Sequence, residues 1–217
     1  NKANLIELKN AIKQYHYPET LEDYNNARKR IVFDEFFMHQ CAWLLKRKEY
    51  NEIKKAYKIR VSWDFIDSFF QSLSFTPTKS QLDVIREITK DLNHSVPMAR
   101  LLQGEVGSGK TLVAVVSALA VIESNYKSAI MAPTEILAEQ HYISTLEMFE
   151  SVIKISPFHS KLKIRGLSKE ISIGLFLGSM PEKIKQEMRE SIKVGEYDFL
   201  IGTHTLIQDN IKIPDLG

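Results

Sequence analysis

The sequence predicts an α/β protein in which a parallel sheet carries helices on both faces and follows an all-helical connector. Three observations lead to this prediction. After about residue 75, short apolar segments alternate with helical segments. Before that point, apolar residues recur at helical spacing and no segment has the pattern of a strand. Within the alternating region, QGEVGSGKT (103–111) is a glycine-rich loop of the type that holds phosphates.

Residues 1–74 are predicted to form the helical connector. A helix is expected to begin at Thr20, after a proline, and to run to about Ala56, with a break near Arg30 left open. Unbroken, such a helix would be about 55 Å long and would act as a strut. Ser62 is expected to cap a second helix. The basic runs of this region are interpreted as solvated faces, and a DNA-facing role is the less favoured alternative.

Residues 75–217 are predicted to alternate between strands and helices. The expected strands are 98–103, 128–132, 171–177 and 198–202, and the expected helices are 81–92, 111–125, 134–150 and 181–194. This alternation implies a parallel sheet that is covered on both faces. Residues 151–170 fit neither pattern and carry several lysines, so they are interpreted as a surface excursion.

The glycine-rich loop fits G-x-x-x-x-G-K-[ST] without a gap. Its glycines let the backbone come close to an anion, so that consecutive N–H groups form a nest for a phosphate. A lysine then supplies charge, and a threonine hydroxyl can ligate Mg²⁺. The predicted nucleotide-binding residues are Gly104, Glu105, Val106, Gly107, Ser108, Gly109, Lys110 and Thr111, of which Lys110 and Thr111 are also the predicted catalytic residues and Thr111 the predicted metal ligand. The expected strand before the loop and helix after it favour a P-loop NTPase fold over a chance glycine-rich turn.

Composition sets limits on the class of protein. The 217 residues are 44% hydrophobic and 26% charged, with a net charge of +2, so overall charge does not indicate a nucleic-acid partner. The single cysteine, Cys41, excludes a disulfide within the chain and suits the cytoplasm. No apolar run is long enough for a membrane span, and the N-terminus does not resemble a signal peptide. The missing initiator Met and the abrupt C-terminus suggest a piece of a longer protein.

Four further segments carry a family resemblance. They are the Phe75, Thr78 and Gln81 group, MAPTEILAEQHY (131–142), LGSM (177–180) and GTHTLIQ (202–208). In this order they resemble the first, RecA-like motor domain of a superfamily 2 helicase. Together with PMARLLQGEVGSGKT (97–111) and HYPETLEDYNNARKRIVFDEF (16–36), they resemble the RecG family of ATP-dependent, branch-migrating DNA helicases. The transcription–repair coupling translocases are the alternative, because they share the P-loop. They match residues 16–36 poorly, which favours the RecG family.

The resemblance implies an adenine site. A glutamine amide offers one donor and one acceptor, which match N7 and the N6 amino group of adenine. Gln81 would therefore select ATP, Thr78 would orient its amide, and Phe75 would pack on the base. The alternative for Gln81 is a first-turn helix residue that faces water.

The resemblance also implies a grip on the DNA backbone at the carboxyl ends of the strands, where ligands bind in open parallel sheets. Small hydroxyls and free N–H groups at helix starts suit phosphates. The predicted DNA-binding residues are Pro133, Thr134, Glu135, Gly178, Ser179, Thr203 and His204. Helix capping by Thr134 and Ser179 is the structural alternative, and both roles can hold at once. A metal-binding role for His204 finds no supporting cluster of ligands in the sequence.

For the whole protein, the resemblance implies ATP and Mg²⁺ as cofactors and branched DNA, such as replication forks and Holliday junctions, as partner. It implies no membrane partner, but it does imply a DNA-wedge domain, a D-E-x-H segment and a second motor domain outside these residues. This chain alone is therefore expected to bind nucleotide weakly and to turn over none.

A small-molecule phosphotransferase is the competing class, but no acid or arginine cluster for its substrate is evident, and Gln81 argues against it. An interaction module with a degenerate P-loop is a third reading, against which the intact Lys110 and Thr111 argue.

Overall fold

The computed structural model describes residues 4–52, 57, 59–165, 167, 169–208 and 211–217. By its contacts, the chain divides into two compact units, Asn1–Lys54 and Lys55–Gly217. The elements in chain order are α1 (Leu8–His16), α2 (Leu21–Glu52), α3 (Trp63–Ser72), α4 (Lys79–Asn93), α5 (Lys110–Glu123), β1 (Ser128–Met131), α6 (Glu135–Leu146), β2 (Ser151–Ser156), β3 (His159–Lys163), β4 (Ile171–Phe176), α7 (Glu182–Lys193), β5 (Phe199–Gly202) and α8 (Thr205–Gln208).

The first unit consists of α1 and the long helix α2, which pack on each other. α2 begins just after Thr20, as predicted, because the hydroxyl of Thr20 accepts the backbone N–H of Asp23 at 3.1 Å. The helix runs for 32 residues without the break considered near Arg30, which gives a length of about 48 Å. The predicted end near Ala56 lies outside the described residues. Helix α1 was not predicted.

Helix α3 belongs to the second unit, which begins at Lys55. The boundary between the units therefore precedes α3, whereas the sequence predicts it between residues 74 and 75. Ser62 caps it as expected, since its hydroxyl accepts the N–H of Phe65 at 3.3 Å. Phe65, Ile66 and Phe69 are buried in the same core as the sheet, and the Phe69 ring lies 5.4 Å from the Phe149 ring. The apolar face of α3 therefore attaches it to the α/β unit rather than to a connector.

The second unit is built on a five-stranded sheet in the order β1-β5-β4-β3-β2. The β1–β5 and β4–β5 pairs are parallel, whereas β3–β4 and β2–β3 are antiparallel. Helix α5 packs on β1, and α6 packs on β4 and β5. The predicted α/β fold is confirmed, but the sheet is mixed rather than wholly parallel.

The surface excursion predicted for 151–170 is wrong, because most of this segment forms β2 and β3. Ser160 and Leu162 are buried, and Leu162 is 0% exposed. Lys161 and Lys163 are the alternate residues of β3, and both are less buried than their neighbours. Lys161 and Lys163, two of the lysines that suggested a surface segment, therefore occupy the outward positions of a strand.

The strand predicted for 98–103 is also absent: these residues are described and pair with no strand. Arg100 instead forms ion pairs with Glu87 at 2.6 Å and Asp91 at 2.7 Å, which tie the segment to α4. Leu101 is 87% exposed, although a central strand would bury it. An apolar run of this length cannot by itself distinguish a strand from an extended segment held by side chains.

Helix α5 is buried almost throughout, as its apolar sequence predicts. Its buried residues are Leu112, Val113, Val115, Val116, Ala118, Leu119, Ala120, Val121 and Ile122. It packs against α4, α6 and β1. Its first turn follows the glycine-rich loop directly, because the helix begins at Lys110. None of the helices in the described part of the chain combines the length and hydrophobicity that a transmembrane span requires.

A partly buried ion cluster lies at the starts of β1, β4 and β5. The Asp198 carboxylate lies 3.0 Å from the Lys127 ammonium and 3.4 Å from that of Lys169, and it accepts the backbone N–H of Ser172 at 3.0 Å. Burial raises the pKa of Asp198, but the Ser172 N–H and the Lys127 ammonium outweigh this effect, so the net pKa is lowered. The carboxylate is thus stabilised in its charged form.

This cluster predicts acid-sensitive stability. Because the folded-state pKa of Asp198 lies below its unfolded value of about 3.9, its contribution is complete above that value and is lost as pH falls through the folded pKa. We expect Asp198→Asn to lower the free energy of unfolding by about 2 kcal/mol at pH 7 and to flatten its fall below pH 5. Thermal melts from pH 7 to pH 2 test this. The exposed Asp67→Asn should keep the parent slope, and an equal slope in Asp198→Asn would contradict the assignment.

Candidate nucleotide-binding site

The glycine-rich loop leads directly into α5, which begins at Lys110. Gly107 and Gly109 have φ values of +81° and +77°, in the left-handed region that favours glycine. A Cβ on Gly109 would overlap the side-chain nitrogen of Gln81, and one on Gly104 would lie 2.8 Å from the Ser108 hydroxyl oxygen. The loop therefore requires glycine for both its conformation and its close contacts, which is the property expected of a phosphate cradle.

The Lys110 side chain folds back over this loop. Its ammonium donates to the carbonyl oxygens of Gly104 at 3.0 Å and Glu105 at 2.6 Å, and lies 3.4 Å from the Ser108 hydroxyl. Thr111, in the first turn of α5, is half-buried. The loop, the ammonium, the hydroxyl and the start of α5 form a donor set that fits an anion.

Gln81 contacts the loop instead of facing water. Its side-chain NH₂ donates to the Ser108 carbonyl at 3.0 Å, and its carbonyl oxygen accepts the Thr78 backbone N–H at 2.8 Å. Thr78 completes the pair by accepting the Gln81 backbone N–H at 3.3 Å, which makes a capping box at the start of α4. Thr78 therefore orients the Gln81 amide, and both amide groups that adenine would use are held beside the loop.

The other predicted nucleotide-binding residues lie at the surface. Phe75 is 46% exposed, so part of its side chain is open to solvent. Glu105 and Ser108 are exposed, and Val106 is fully exposed at the tip of the loop. Among the described residues, no three His, Cys, Asp or Glu side chains form a metal-binding group. The Thr111 hydroxyl alone does not supply enough ligands for Mg²⁺, which would also need the oxygens of a bound nucleotide.

A cavity of about 890 Å³ adjoins this site between α3 and α4. It is lined by Trp63, Asp67, Phe70, Thr76, Pro77, Leu82, Arg86, Thr89, Lys90, Asn93 and His94. None of these residues belongs to the glycine-rich loop. The cavity is therefore a neighbour of the candidate site, not its phosphate-binding part.

A second group of predicted residues meets at the carboxyl ends of β1 and β4. The Thr134 hydroxyl accepts the Leu137 N–H at 3.3 Å and caps α6, which is the structural alternative considered for it. Glu135 accepts the Ser179 backbone N–H at 2.8 Å. Gly178 lies beside this contact, because a Cβ there would be 3.0 Å from the Glu135 carboxylate. Pro133 is exposed just before this group.

The two remaining predicted residues follow β5 and differ in exposure. Thr203 is only 2% exposed, and its hydroxyl lies 3.0 Å from that of Thr205. His204 is exposed. Thr205 was missed by the sequence prediction although it stands in the same segment, and its methyl group lies 3.3 Å from the position of a Cβ on Gly178. The ends of β4 and β5 thus lie side by side, as parallel pairing requires.

Comparison with known proteins then decides the family. Residues 71–216 match the family model of DEAD/DEAH box helicases. The chain belongs to the DEAD/DEAH box helicase family. The match begins at residue 71, before Phe75. It includes α4 to α8 and both groups of predicted residues. The glycine-rich loop lies within the residues that match this helicase domain.

Curated relatives within this family are named ATP-dependent DNA helicase RecG. The one from Synechocystis sp. is 37% identical over 216 residues, which are 100% of this chain and 24% of that protein. The one from Bacillus subtilis is 39% identical over 207 residues, which are 95% of this chain and 28% of that protein. The chain therefore spans about a quarter of the length of these relatives.

A solved structure supports the same relationship. It is described as the structure of RecG bound to a three-way DNA junction, and it matches with a TM-score of 0.76 at 33% sequence identity. The match covers 100% of this chain and 27% of that one. The resemblance to RecG helicases that the sequence predicts is confirmed, including for the helices that precede the DEAD/DEAH box domain.

Proposed function

We propose that this chain is the ATP-binding part of an ATP-dependent DNA helicase that acts on branched DNA. The observation that carries the proposal is the bond between the Gln81 amide and the Ser108 carbonyl, at 3.0 Å. It supports the proposal because it holds Gln81, the proposed adenine-selective group, against the loop that is proposed to bind phosphates. The names of the relatives and the junction in the related structure support the choice of branched DNA. The lone cysteine supports a cytoplasmic location.

In this proposal the loop residues bind the nucleotide phosphates. The ammonium of Lys110 exchanges the carbonyls of Gly104 and Glu105 for β- and γ-phosphate oxygens, and backbone N–H groups of the loop donate to the β-phosphate. The Thr111 hydroxyl supplies one ligand to Mg²⁺, which neutralises charge on the phosphates. Phe75 offers its exposed ring to the base.

DNA binding is proposed at the ends of β1, β4 and β5. Thr134, Ser179 and His204 have exposed groups that can contact phosphates without reading bases, as a translocating motor requires. Thr203 is buried and would support the turn rather than touch DNA directly. The relatives are about four times as long as this chain, which supports a wedge domain and a second motor domain elsewhere in the protein.

The adenine preference gives the test of the proposal. We expect this chain to bind ADP about 10- to 100-fold more tightly than GDP, because guanine presents an acceptor where adenine presents its N6 donor. Gln81→Glu keeps the acceptor that bonds to Thr78, so α4 should still begin normally. It loses the donor to N7, an acceptor that adenine and guanine share, so ADP affinity should fall about tenfold while the preference over GDP remains. Titration calorimetry with both nucleotides measures these affinities.

The matched control is Gln71→Glu, which makes the same change at an exposed position of α3. It should leave both affinities unchanged. Equal binding of ADP and GDP by the parent chain, or an unchanged ADP affinity in Gln81→Glu, would show that Gln81 does not read the base.

A further inference from the structure

Glu135 stands among the predicted DNA-binding residues, yet its chemistry opposes that role. A carboxylate is acceptor-only and negatively charged, so it repels a phosphate instead of binding it. Direct contact with the DNA backbone therefore does not explain Glu135. Its contacts within the protein suggest a different function at the same site.

The Glu135 carboxylate joins two elements that are distant in sequence. It lies in the first turn of α6 and accepts the backbone N–H of Ser179, in the turn after β4, at 2.8 Å. The hydroxyl and the N–H of Ser179 lower the pKa of Glu135, so it is charged at neutral pH. Charge-assisted bonds to backbone N–H groups are among the stronger hydrogen bonds in proteins.

The local backbone is shaped for this contact. Gly178 leaves room for the carboxylate, since a Cβ there would lie 3.0 Å from its oxygen and 3.3 Å from the Thr205 methyl group. A negative charge in the first turn of a helix is also favoured by the helix dipole. The turn after β4 is thus held between the start of α6 and the start of α8.

We propose that Glu135 is a positioning residue, which holds the turn 177–180 against the start of α6 so that Ser179 and Thr134 face the same stretch of DNA backbone. The proposal rests on the function proposed above, because it assumes that this edge of the sheet binds DNA. Glu135 itself does not touch the DNA. It acts through the Ser179 N–H, which it fixes in place.

A positioning role and a purely electrostatic role predict opposite changes in DNA affinity when the Glu135 carboxylate is removed. Removing a negative charge near a phosphate-binding surface should strengthen DNA binding if charge alone matters. If Glu135 positions the turn, its removal should weaken binding because one phosphate contact is lost. Glu135→Gln separates the two effects, since its carbonyl oxygen still accepts the Ser179 N–H while the charge is gone.

The first experiment measures the affinity of this chain for a fluorescent single-stranded oligonucleotide at several salt concentrations. We expect Glu135→Ala to bind about five- to tenfold more weakly, with a salt slope smaller by about one, as for the loss of one phosphate contact. Glu135→Gln should bind at least as tightly as the parent chain. The matched control is Glu139→Ala, which removes the same charge from the same helix one turn later, and it should not weaken binding.

The second experiment needs no DNA. Amide hydrogen exchange of the segment 177–180 should be faster in Glu135→Ala and close to the parent rate in Glu135→Gln. The positioning role is wrong if Glu135→Ala binds DNA as tightly as the parent chain, or if its exchange at this segment is unchanged. Absence of salt-dependent binding by the parent chain would instead overturn the proposed DNA grip, and the positioning role with it.

Discussion

Replacing Lys110 by alanine is expected to lower the affinity of this chain for ADP by about 100-fold. The ammonium makes three polar contacts within the loop, at 2.6–3.4 Å, and on nucleotide binding it would pair with phosphate oxygens. Loss of a charge-assisted interaction of this kind costs about 3 kcal/mol, which corresponds to about two powers of ten in affinity. The fold should survive, because Lys110 is not part of the buried core.

Titration calorimetry with ADP and Mg²⁺ measures this effect, and a thermal melt checks the fold. Lys193→Ala, at an exposed position near the end of α7, serves as the control and should bind ADP as the parent chain does. Equal ADP affinity of the parent chain and Lys110→Ala would remove the loop from the nucleotide site.

The second large effect concerns ATP turnover. A longer form of the protein that contains the proposed D-E-x-H segment and second motor domain is expected to hydrolyse ATP in the presence of DNA. We expect its rate to exceed that of this chain by about 10³- to 10⁵-fold, the range that an arginine supplied across the cleft contributes. In this chain, charge that develops on the γ-phosphoryl group would meet Lys110 and a metal ion held chiefly by Thr111.

Phosphate release with and without a forked DNA compares the two forms of the protein. The Lys110→Ala variant of the longer form is the control, and it should be as slow as this chain. Robust DNA-dependent turnover by this chain alone would mean that its catalytic groups have been misassigned.

Much of this fold can be predicted from local patterns. The capping residues Thr20, Ser62 and Thr134 mark helix starts, and the structure places α2, α3 and α6 directly after them. The apolar runs of β1, β4 and β5 are flanked by turn residues and become strands. These features depend on residues within one or two turns of each other, so the sequence contains the information needed to predict them.

The errors arise where tertiary contacts decide the structure. Residues 98–103 have the composition of a strand, but Arg100 bonds to α4 and no strand pairs beside them in the described residues. The hairpin of β2 and β3 is rich in lysine, yet it adds to the sheet because Leu162 is buried. Pairing partners and side-chain contacts between distant segments cannot be predicted from periodicity alone.

In the candidate site, too, local sequence predicts some features, whereas contacts between distant segments cannot be predicted from it. Motif spacing predicts the glycine-rich loop, and the family resemblance predicts that Thr78 lies beside Gln81. The bond from Gln81 to Ser108 spans 27 residues, and the one from Ser179 to Glu135 spans 44. The sequence prediction named all four residues, but it could not show that these pairs bond to each other.

The most direct test of the central claim is a crystal structure of this chain with ADP and Mg²⁺. We expect the β-phosphate within hydrogen-bonding distance of the backbone N–H groups of 107–110, and the adenine edge opposite the Gln81 amide. The bond from Gln81 to the Ser108 carbonyl should then be replaced by one to the base. ADP bound elsewhere, for example in the cavity between α3 and α4 that Trp63 and Arg86 line, would contradict the account.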